Sequence, residues 1–146
     1  MYKHILIATD GSEHALRAAR HAVALAASSG ARLSAVTVTP TWRSIGLSEI
    51  ARGRFEDEFG ERMQKIARGC LDRVAALALE GGVDCDGVHA SSDRPYEAIL
   101  EAVAQRGCDL VVVGAHGRRG LQGALLGSET TKILTHSKVP VLVYRD

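Results

Sequence analysis

The sequence predicts an α/β protein in which a five-stranded parallel sheet carries helices on both faces, in a doubly wound, Rossmann-like arrangement. Two observations lead to this fold class. Short apolar runs of strand length alternate with longer segments whose apolar residues recur every three or four positions. A glycine-rich stretch also follows one apolar run directly and precedes a helical segment. Such alternation with short connections is typical of parallel sheets covered on both faces.

The first strand is predicted at residues 4–9, a nearly continuous apolar run that suits burial on both faces. The Asp10-Gly11-Ser12 turn follows it, and the Ser12 hydroxyl is placed to cap the first helix. That helix ends at Ser29-Gly30 and carries its small apolar residues at helical spacing, namely Ala15, Ala19, Ala22 or Val23, and Ala26.

The second strand is predicted at residues 33–38 and is closed by Pro40. The segment Thr39–Arg54 has a weak apolar pattern, and we interpret it as a mobile or partly ordered connection able to cover a ligand. A long amphipathic helix comes next and is broken by Gly81-Gly82. Its apolar residues step by three and four along Phe55, Phe59, Met63, Ile66, Cys70, Val74 and Leu77.

The remaining elements continue the alternation. Residues 83–90 predict a third, more polar strand towards a sheet edge. Ser92-Asp93 are expected to cap a third helix that has Pro95 in its first turn and ends at Gly107. A fourth strand at residues 110–113 leads into the glycine-rich stretch. A helix at about 127–136, with Ile133 and Leu134 facing inwards, and a strand at 139–144 complete the chain.

The glycine-rich stretch is the clearest functional signal in the sequence. It has the spacing Gly114-x2-Gly117-x9-Gly127-Ser128, which is neither a Walker loop nor a G-x-G-x-x-G motif. Glycines allow a close approach to the backbone, and the helix that follows offers unpaired N–H groups and the positive end of its dipole. These features predict a phosphate-binding loop, with an irregular surface loop as the alternative.

This spacing resembles the nucleotide-binding signature of the universal stress protein family, in its ATP-binding branch. The resemblance extends to the Asp10-Gly11-Ser12 turn and the closing strand from Val139 to Val143, so it covers essentially the whole chain. It implies the strand order 3-2-1-4-5, in which the order reverses between the first and fourth strands. Open parallel sheets bind ligands at such a reversal. We therefore expect Asp10 and the glycine loop to border one crevice.

The glycine motif and the resemblance together predict a set of site residues: Asp10, Val38, Gly114, Gly117, Arg118, Gly127 and Ser128. The glycines would let the main chain fold round the phosphates, and Ser128 would donate to a phosphate oxygen, cap its helix, or do both. Asp10 would contact the nucleoside side of ATP or support its metal ion, or else serve only as a cap for the first helix. Val38 matches the position whose backbone meets adenine, with ordinary strand core as the alternative.

Several other residues near the predicted site are ambiguous. Arg118 and Arg119 have the charge to reach a triphosphate, but we expect at least one of them to be simply solvated. His116 has no identifiable nucleophile or acid beside it, so no catalytic residue is predicted. Trp42 would either cover an adenine or shield core at a sheet edge. The other histidines lack metal-ligand spacing, and no protein metal site is predicted.

Length and composition limit the classes of function. With 146 residues we expect a single domain over residues 1–146, and the net charge of +1 argues against nucleic-acid binding by phosphate neutralisation. The three cysteines are widely spaced and lack a C-x-x-C pair, which indicates reduced packing residues. There is no secretory signal or membrane-spanning run. A cytoplasmic location is therefore expected.

The resemblance implies a regulatory, stress-response protein that binds ATP, or ADP or AMP, with Mg²⁺ or Mn²⁺ carried by the nucleotide. Hydrolysis should be slow at most. A ligand-free interaction module of the same fold is one alternative, and an ATP-cleaving or adenylating enzyme is another. The resemblance also implies a homodimer formed by the C-terminal edge strand. Because Pro140 lacks a donor, we expect the pairing to centre on Val141 to Val143.

Overall fold

The computed structural model describes residues 1–45, 52–117 and 126–146. Five strands and four helices alternate along them, and a short 3-10 helix, Trp42–Ile45, follows the second strand. In chain order the elements are β1 (His4–Ala8), α1 (Glu13–Ser29), β2 (Arg32–Thr39), α2 (Arg52–Glu80), β3 (Cys85–Ser91), α3 (Pro95–Arg106), β4 (Leu110–Gly114), α4 (Ser128–His136) and β5 (Val141–Tyr144).

The five strands form one sheet in the order β3-β2-β1-β4-β5, and each neighbouring pair is parallel. The predicted fold class and strand order are therefore confirmed. β1 lies at the centre, where Ile5, Leu6 and Ile7 have no exposed surface. The strand order reverses between β1 and β4, so the loops that follow these two strands leave the sheet side by side.

Helices cover both faces of the sheet. Ile5 and Ile7 of β1 belong to the hydrophobic cluster that packs against α1 and α2, whereas Leu6 belongs to the cluster against α3 and α4. This division follows from the two-residue period of a strand, which points successive side chains to opposite faces. The central strand thus fixes the positions of both helical layers.

α1 begins and ends where the sequence predicts. The Ser12 hydroxyl accepts a hydrogen bond from the Ala15 N–H at 3.1 Å. At the other end Gly30 adopts a left-handed conformation with φ of 70° and donates to the Ala26 carbonyl. The predicted stripe of small residues is buried, which lets the helix lie close to the sheet: Ala15, Ala19, Ala22, Val23 and Ala26.

The apolar period also predicted α2, but the burial of this helix is uneven. Ala67, Cys70, Val74 and Ala78 are buried, whereas residues 53–66 are all at least partly exposed. Ile66, predicted on the apolar face, is 48% exposed. Only the second half of this helix therefore packs into the core.

Two details of the predicted helices are wrong. Ser92-Asp93 do not cap α3: the N-cap is Arg94, which makes no side-chain capping bond, and the Asp93 carboxylate instead accepts from Thr41. Leu134 does not face inwards but is 43% exposed, while its neighbour Ile133 is 2% exposed. Consecutive helical residues point about 100° apart, so only one of the two can face the sheet directly.

Within residues 1–45, 52–117 and 126–146, no helix is both long enough and apolar enough to span a bilayer.

Candidate functional site

A crevice of about 240 Å³ lies between the carboxyl ends of β1 and β4. Its floor is apolar and its rim is polar. The floor consists of Ala8, Val36, Val38, Pro95, Ile99, Val113 and Ile133, and the rim includes Thr9, Asp10, Gly114, His116, Gly117, Glu129 and Thr130. Three other clefts have larger volumes, about 410 to 440 Å³, but they lie away from this end of the sheet. We therefore select the crevice between β1 and β4 for its position and the chemistry of its lining, not for its volume.

Asp10 occupies the turn between β1 and α1. Its Oδ1 accepts a hydrogen bond from the Ser12 N–H at 2.9 Å, which holds the turn in shape. Gly11 has a φ of 81°, so this is the position in the turn that requires glycine. The other carboxylate oxygen faces Gly117, because a Cβ added there would lie 3.1 Å from Asp10 Oδ2. Asp10 thus supports the turn and also borders the crevice.

The glycine segment begins at the end of β4 and is held by α1. The space that a Cβ of Gly114 would occupy is filled by the His14 ring, whose Cδ2 and Nε2 would lie at 2.7 and 2.9 Å. The Ala115 N–H donates to His14 Nε2 at 3.0 Å and to the Tyr144 carbonyl at 2.8 Å. The structure therefore gives Gly114 a role apart from any ligand, since it admits a buried histidine.

The described residues on the far side of the segment return to the same place. The Gly127 N–H donates to the Ala115 carbonyl at 2.7 Å, and the Thr130 hydroxyl donates to the Gly114 carbonyl at 2.9 Å. These bonds place the first turn of α4 at the crevice. Gly127 is the N-cap of α4 and has no side chain to offer its exposed N–H groups. Ser128, the first helical residue, is exposed.

Glu129 brings a second carboxylate to the crevice, and the sequence analysis missed it. Its Oε2 accepts a hydrogen bond from the Tyr96 N–H at 3.0 Å, and its Oε1 lies 3.4 Å from Lys132 Nζ. It therefore caps α3, which Arg94 leaves without a side-chain cap. No local sequence pattern indicates this contact, because the two residues are 33 positions apart.

The loops after β2 and β3 are joined by hydrogen bonds between Thr41 and Asp93. The Thr41 N–H donates to Asp93 Oδ1 at 2.9 Å, and the Thr41 hydroxyl donates to Asp93 Oδ2 at 2.5 Å. The hydrogen bonds from Thr41 hold the pKa of the Asp93 carboxyl below its ordinary value. Trp42 follows on the 3-10 helix, half-buried, with the Arg43 guanidinium 5.9 Å from its ring centroid.

The structure brings most of the predicted site residues together. Asp10, Val38, Gly114 and Gly117 line the crevice, and Gly127 packs against the backbone of His116. Ser128 begins the adjoining helix. Arg118 lies outside the described residues, as do Arg119 and the middle of the segment from Thr39 to Arg54.

His116 is not an isolated loop histidine. Its ring stacks on His14 with centroids 4.0 Å apart and planes 15° apart. His14, His116 and Asp146 each place a possible ligand atom within 4.8 Å of the others. Both ring nitrogens of His14 are already hydrogen-bonded, however, to Ala115 and to Asp146. Because the lone pairs of stacked rings lie in nearly parallel planes, they do not converge on one metal ion.

A model of the Universal stress protein family matches residues 1–145. A universal stress protein of Thermus aquaticus is 36% identical over 149 residues, covering 99% of this chain and 100% of the relative. Universal stress protein MJ0531 of Methanocaldococcus jannaschii is 33% identical over 147 residues, covering 99% of this chain and 83% of the relative.

Solved structures agree with the sequence relatives. Hypothetical protein MJ0577 superposes with a TM-score of 0.86 at 27% identity, covering 100% of this chain and 97% of that one. A universal stress protein in complex with cAMP superposes with a TM-score of 0.68 at 29% identity, covering 99% of this chain and 97% of that one.

Proposed function

The chain belongs to the universal stress protein family, and on that premise we propose that it binds an adenine nucleotide in the crevice between β1 and β4. One observation carries the proposal: the Asp10 turn and the described ends of the glycine segment border the same crevice, at the reversal of strand order. Open parallel sheets bind ligands at that place. The relative in complex with cAMP supports an adenine nucleotide as the ligand class.

We assign the phosphates to the first turn of α4 and the ends of the glycine segment. The first N–H groups of a helix have no partner within it, and the helix dipole favours an anion there. Gly127 supplies no side-chain cap, and the exposed Ser128 hydroxyl adds a donor. Arg118 would extend this set towards a triphosphate.

The two rim carboxylates bear on the form of the nucleotide. Asp10 and Glu129 would repel a bare polyphosphate, but carboxylates are good ligands for a divalent cation that also binds phosphate oxygens. The rim therefore fits ATP with Mg²⁺ or Mn²⁺ better than ATP alone. In this assignment Asp10 supports the metal ion from the β1 side and Glu129 from the α4 side.

The base is assigned to the apolar floor. Val38 is half-buried at the end of β2 and lines the crevice with Val36, Ile99 and Pro95. These side chains offer a flat ring an apolar surface, which is how most small-molecule pockets bury their ligands. The Thr41–Asp93 pair joins the loops that follow Val38 and precede Pro95 in the chain.

We assign a regulatory role to the bound nucleotide, with slow hydrolysis at most. Asp10 and Glu129 each accept a main-chain N–H, from Ser12 and Tyr96, and we assign them to support of the local backbone and of the metal ion, not to activation of water. The His116 ring is stacked on His14.

The free cysteines Cys70, Cys85 and Cys108 fit a reducing cytoplasm, which we propose as the location of the protein.

The test begins with the purified protein. Mass spectrometry under gentle conditions should find a co-purified adenine nucleotide, and calorimetry with ATP, ADP, AMP and cAMP, with and without Mg²⁺, should rank them. Gly117→Val places a branched side chain against the Asp10 carboxylate and should weaken ATP binding at least tenfold, about 1.4 kcal/mol. Gly60→Val is the matched control, because a Cβ added at this helical glycine would have no neighbouring atom within 4 Å. If no nucleotide binds the wild type, the chain is a ligand-free interaction module.

We also propose a homodimer formed through β5. Val141 to Tyr144 are all half-buried at an outer edge of the sheet. The Pro140 and Tyr144 carbonyls accept from β4, so by alternation the N–H and C=O groups of Val141 and Val143 point to the open edge. Pro140 faces β4, so the N–H group that it lacks would not have taken part in pairing at the open edge. The sequence analysis gave this missing donor as the reason for centring the pairing on Val141 to Val143, and that reason is wrong. The outward groups of Val141 and Val143 still place the proposed pairing at these two residues.

Two copies related by a two-fold axis would satisfy these edge groups mutually. Light scattering should find a dimer of the wild type at micromolar concentration. Val141→Lys combined with Val143→Lys should give a monomer, because like charges would meet at the axis. Since both valines also pack on the core, Val143→Pro serves as a second variant that removes one outward donor. A monomeric wild type, or a dimer in both variants, argues against this interface.

A further inference from the structure

His14 is a buried polar residue that the proposed nucleotide chemistry does not use. Its side chain is 5% exposed, and both ring nitrogens are hydrogen-bonded. The Nε2 atom lies 3.0 Å from the Ala115 nitrogen, at the start of the glycine segment. The Nδ1 atom lies 3.0 Å from Asp146 Oδ2, two residues beyond β5. One ring thus connects α1 to two distant parts of the chain.

The chemistry of these partners determines where the proton sits on the ring. A main-chain N–H only donates, so Nε2 must present its lone pair to Ala115. The neutral ring then carries its proton on Nδ1 and donates it to the Asp146 carboxylate. Arg17 orients that carboxylate through two hydrogen bonds of 2.7 Å. Arg17 first, and then His14, hold the pKa of the Asp146 carboxyl well below its ordinary range, so it stays an anion that accepts.

The Ala115 peptide group is the junction on which the nearby segment depends. Its N–H is shared between His14 and the Tyr144 carbonyl, and its C=O accepts the Gly127 N–H at 2.7 Å. His116, the next residue, lies flat on the His14 ring. Any tilt of this peptide would therefore move both the crevice residues that follow it and the first turn of α4.

We propose that His14 is a positioning residue for the nucleotide site, held in its Nδ1-protonated form by Asp146, so that a side chain beyond the edge strand sets nucleotide affinity. The expected effect of His14 on nucleotide affinity rests on the proposed function. It assigns His14 no contact with the nucleotide. Its action passes through the Ala115 peptide, and the Asp146 carboxylate acts through His14.

Two substitutions at His14 separate its two hydrogen bonds. In His14→Gln the amide oxygen replaces Nε2 and still accepts from Ala115, so affinity for Mg²⁺–ATP should stay within about threefold of wild type. In His14→Asn the shorter amide reaches only the position of Nδ1. It keeps the bond to Asp146 but loses the acceptor for Ala115, and affinity should fall about fivefold to tenfold. Arg20→Gln, at an exposed position of the same helix, is the control and should change nothing.

Asp146→Ala tests the second step. It should weaken Mg²⁺–ATP binding in the wild type but not in the His14→Gln background, because an amide has no tautomer to fix. The ¹⁵N resonances of His14 should show a protonated Nδ1 and an unprotonated Nε2 in the wild type, and this pattern should weaken in Asp146→Ala. That spectrum needs no nucleotide, so it tests the tautomer assignment even if His14→Asn fails to fold, and Asp146→Ala then tests the effect on affinity.

The outcomes are distinct. A wild type that binds none of the four adenine nucleotides removes the proposed function, whatever the spectrum shows. A wild type that binds Mg²⁺–ATP, with folded His14→Asn within twofold of it, overturns the positioning role. A His14 ring protonated on Nε2 overturns the tautomer assignment and, with it, the role of Asp146.

Discussion

Replacing Gly114 by alanine tests the packing of β4 against α1 directly. The added Cβ would lie 2.7 Å from His14 Cδ2 and 2.9 Å from Nε2, whereas carbon atoms in contact are normally about 3.5–4.0 Å apart. His14 must therefore move by roughly 1 Å. It cannot do so freely, because it is buried, bonded at both ring nitrogens and stacked on His116.

The expected cost follows from these contacts. Overpacking of a well-packed site costs about 1–3 kcal/mol, and a lost hydrogen bond to Ala115 adds about 0.5–1.5 kcal/mol. Gly114→Ala should therefore lower the free energy of unfolding by about 1.5–4.5 kcal/mol. Urea denaturation at 25 °C, with an unchanged slope as evidence of two-state unfolding, measures the loss.

A double-mutant cycle identifies the cause. In His14→Ala the ring is gone, so the added methyl of Gly114→Ala meets no clash and partly fills the space. The double variant should then be more stable than the sum of the single losses predicts, by about 1–2 kcal/mol. Gly69→Ala is the control, because Gly69 lies on the exposed side of α2 and a Cβ added there would have no neighbouring atom within 4 Å. This substitution should raise the free energy of unfolding by up to about 1 kcal/mol. Its effect should add to that of His14→Ala without any coupling. An additive Gly114–His14 pair would refute the packing argument.

Three further predictions concern single residues. Asp10→Ala should reduce the ATP-induced thermal shift more than it lowers the melting temperature without ligand; a change in melting temperature alone would make Asp10 only a turn residue. Burial raises the pKa of the Cys108 thiol to about 11, so the native protein should resist iodoacetamide at that residue at pH 8, and rapid modification seen by mass spectrometry would contradict its buried position. The folded-state pKa of Asp146 lies below its unfolded value, so the stability that this carboxylate contributes is present above about pH 4 and is lost as the pH falls further. Asp146→Asn should therefore have a flatter acid limb in stability against pH, and an unchanged limb would show that the pairing with Arg17 and His14 does not form.

The sequence predicted the fold because its signals are local. The apolar run at β1, the Ser12 cap and the alanine spacing of α1 each act within a few residues, and all three are confirmed. The helical period could not choose between Ile133 and Leu134, since they are adjacent apolar residues in a helix of only nine residues. The packing of α4 against the sheet buries Ile133 and leaves Leu134 partly exposed.

The candidate site was predicted only in part for the same reason. The spacing of Gly114, Gly117 and Gly127 placed it at one end of the sheet, but three of its supports are long-range contacts. His14 meets Ala115 and Asp146 across 101 and 132 positions, and Glu129 meets Tyr96 across 33. No periodicity or spacing encodes such pairs. A glycine at a strand end indicated a close approach, but not that the approaching group is an imidazole.

The uneven burial of α2 has a consequence for local opening. At 1.5 Å per residue its 29 residues extend about 43 Å, against about 26 Å for the eight-residue β2. Since residues 53–66 contribute no fully buried side chain, their amides should exchange with solvent hydrogen through partial unfolding. The amides around Val74 should exchange only when the whole molecule unfolds. Trypsin should accordingly cut first at exposed sites such as Arg54 and Arg62, while the sheet and its crevice remain folded.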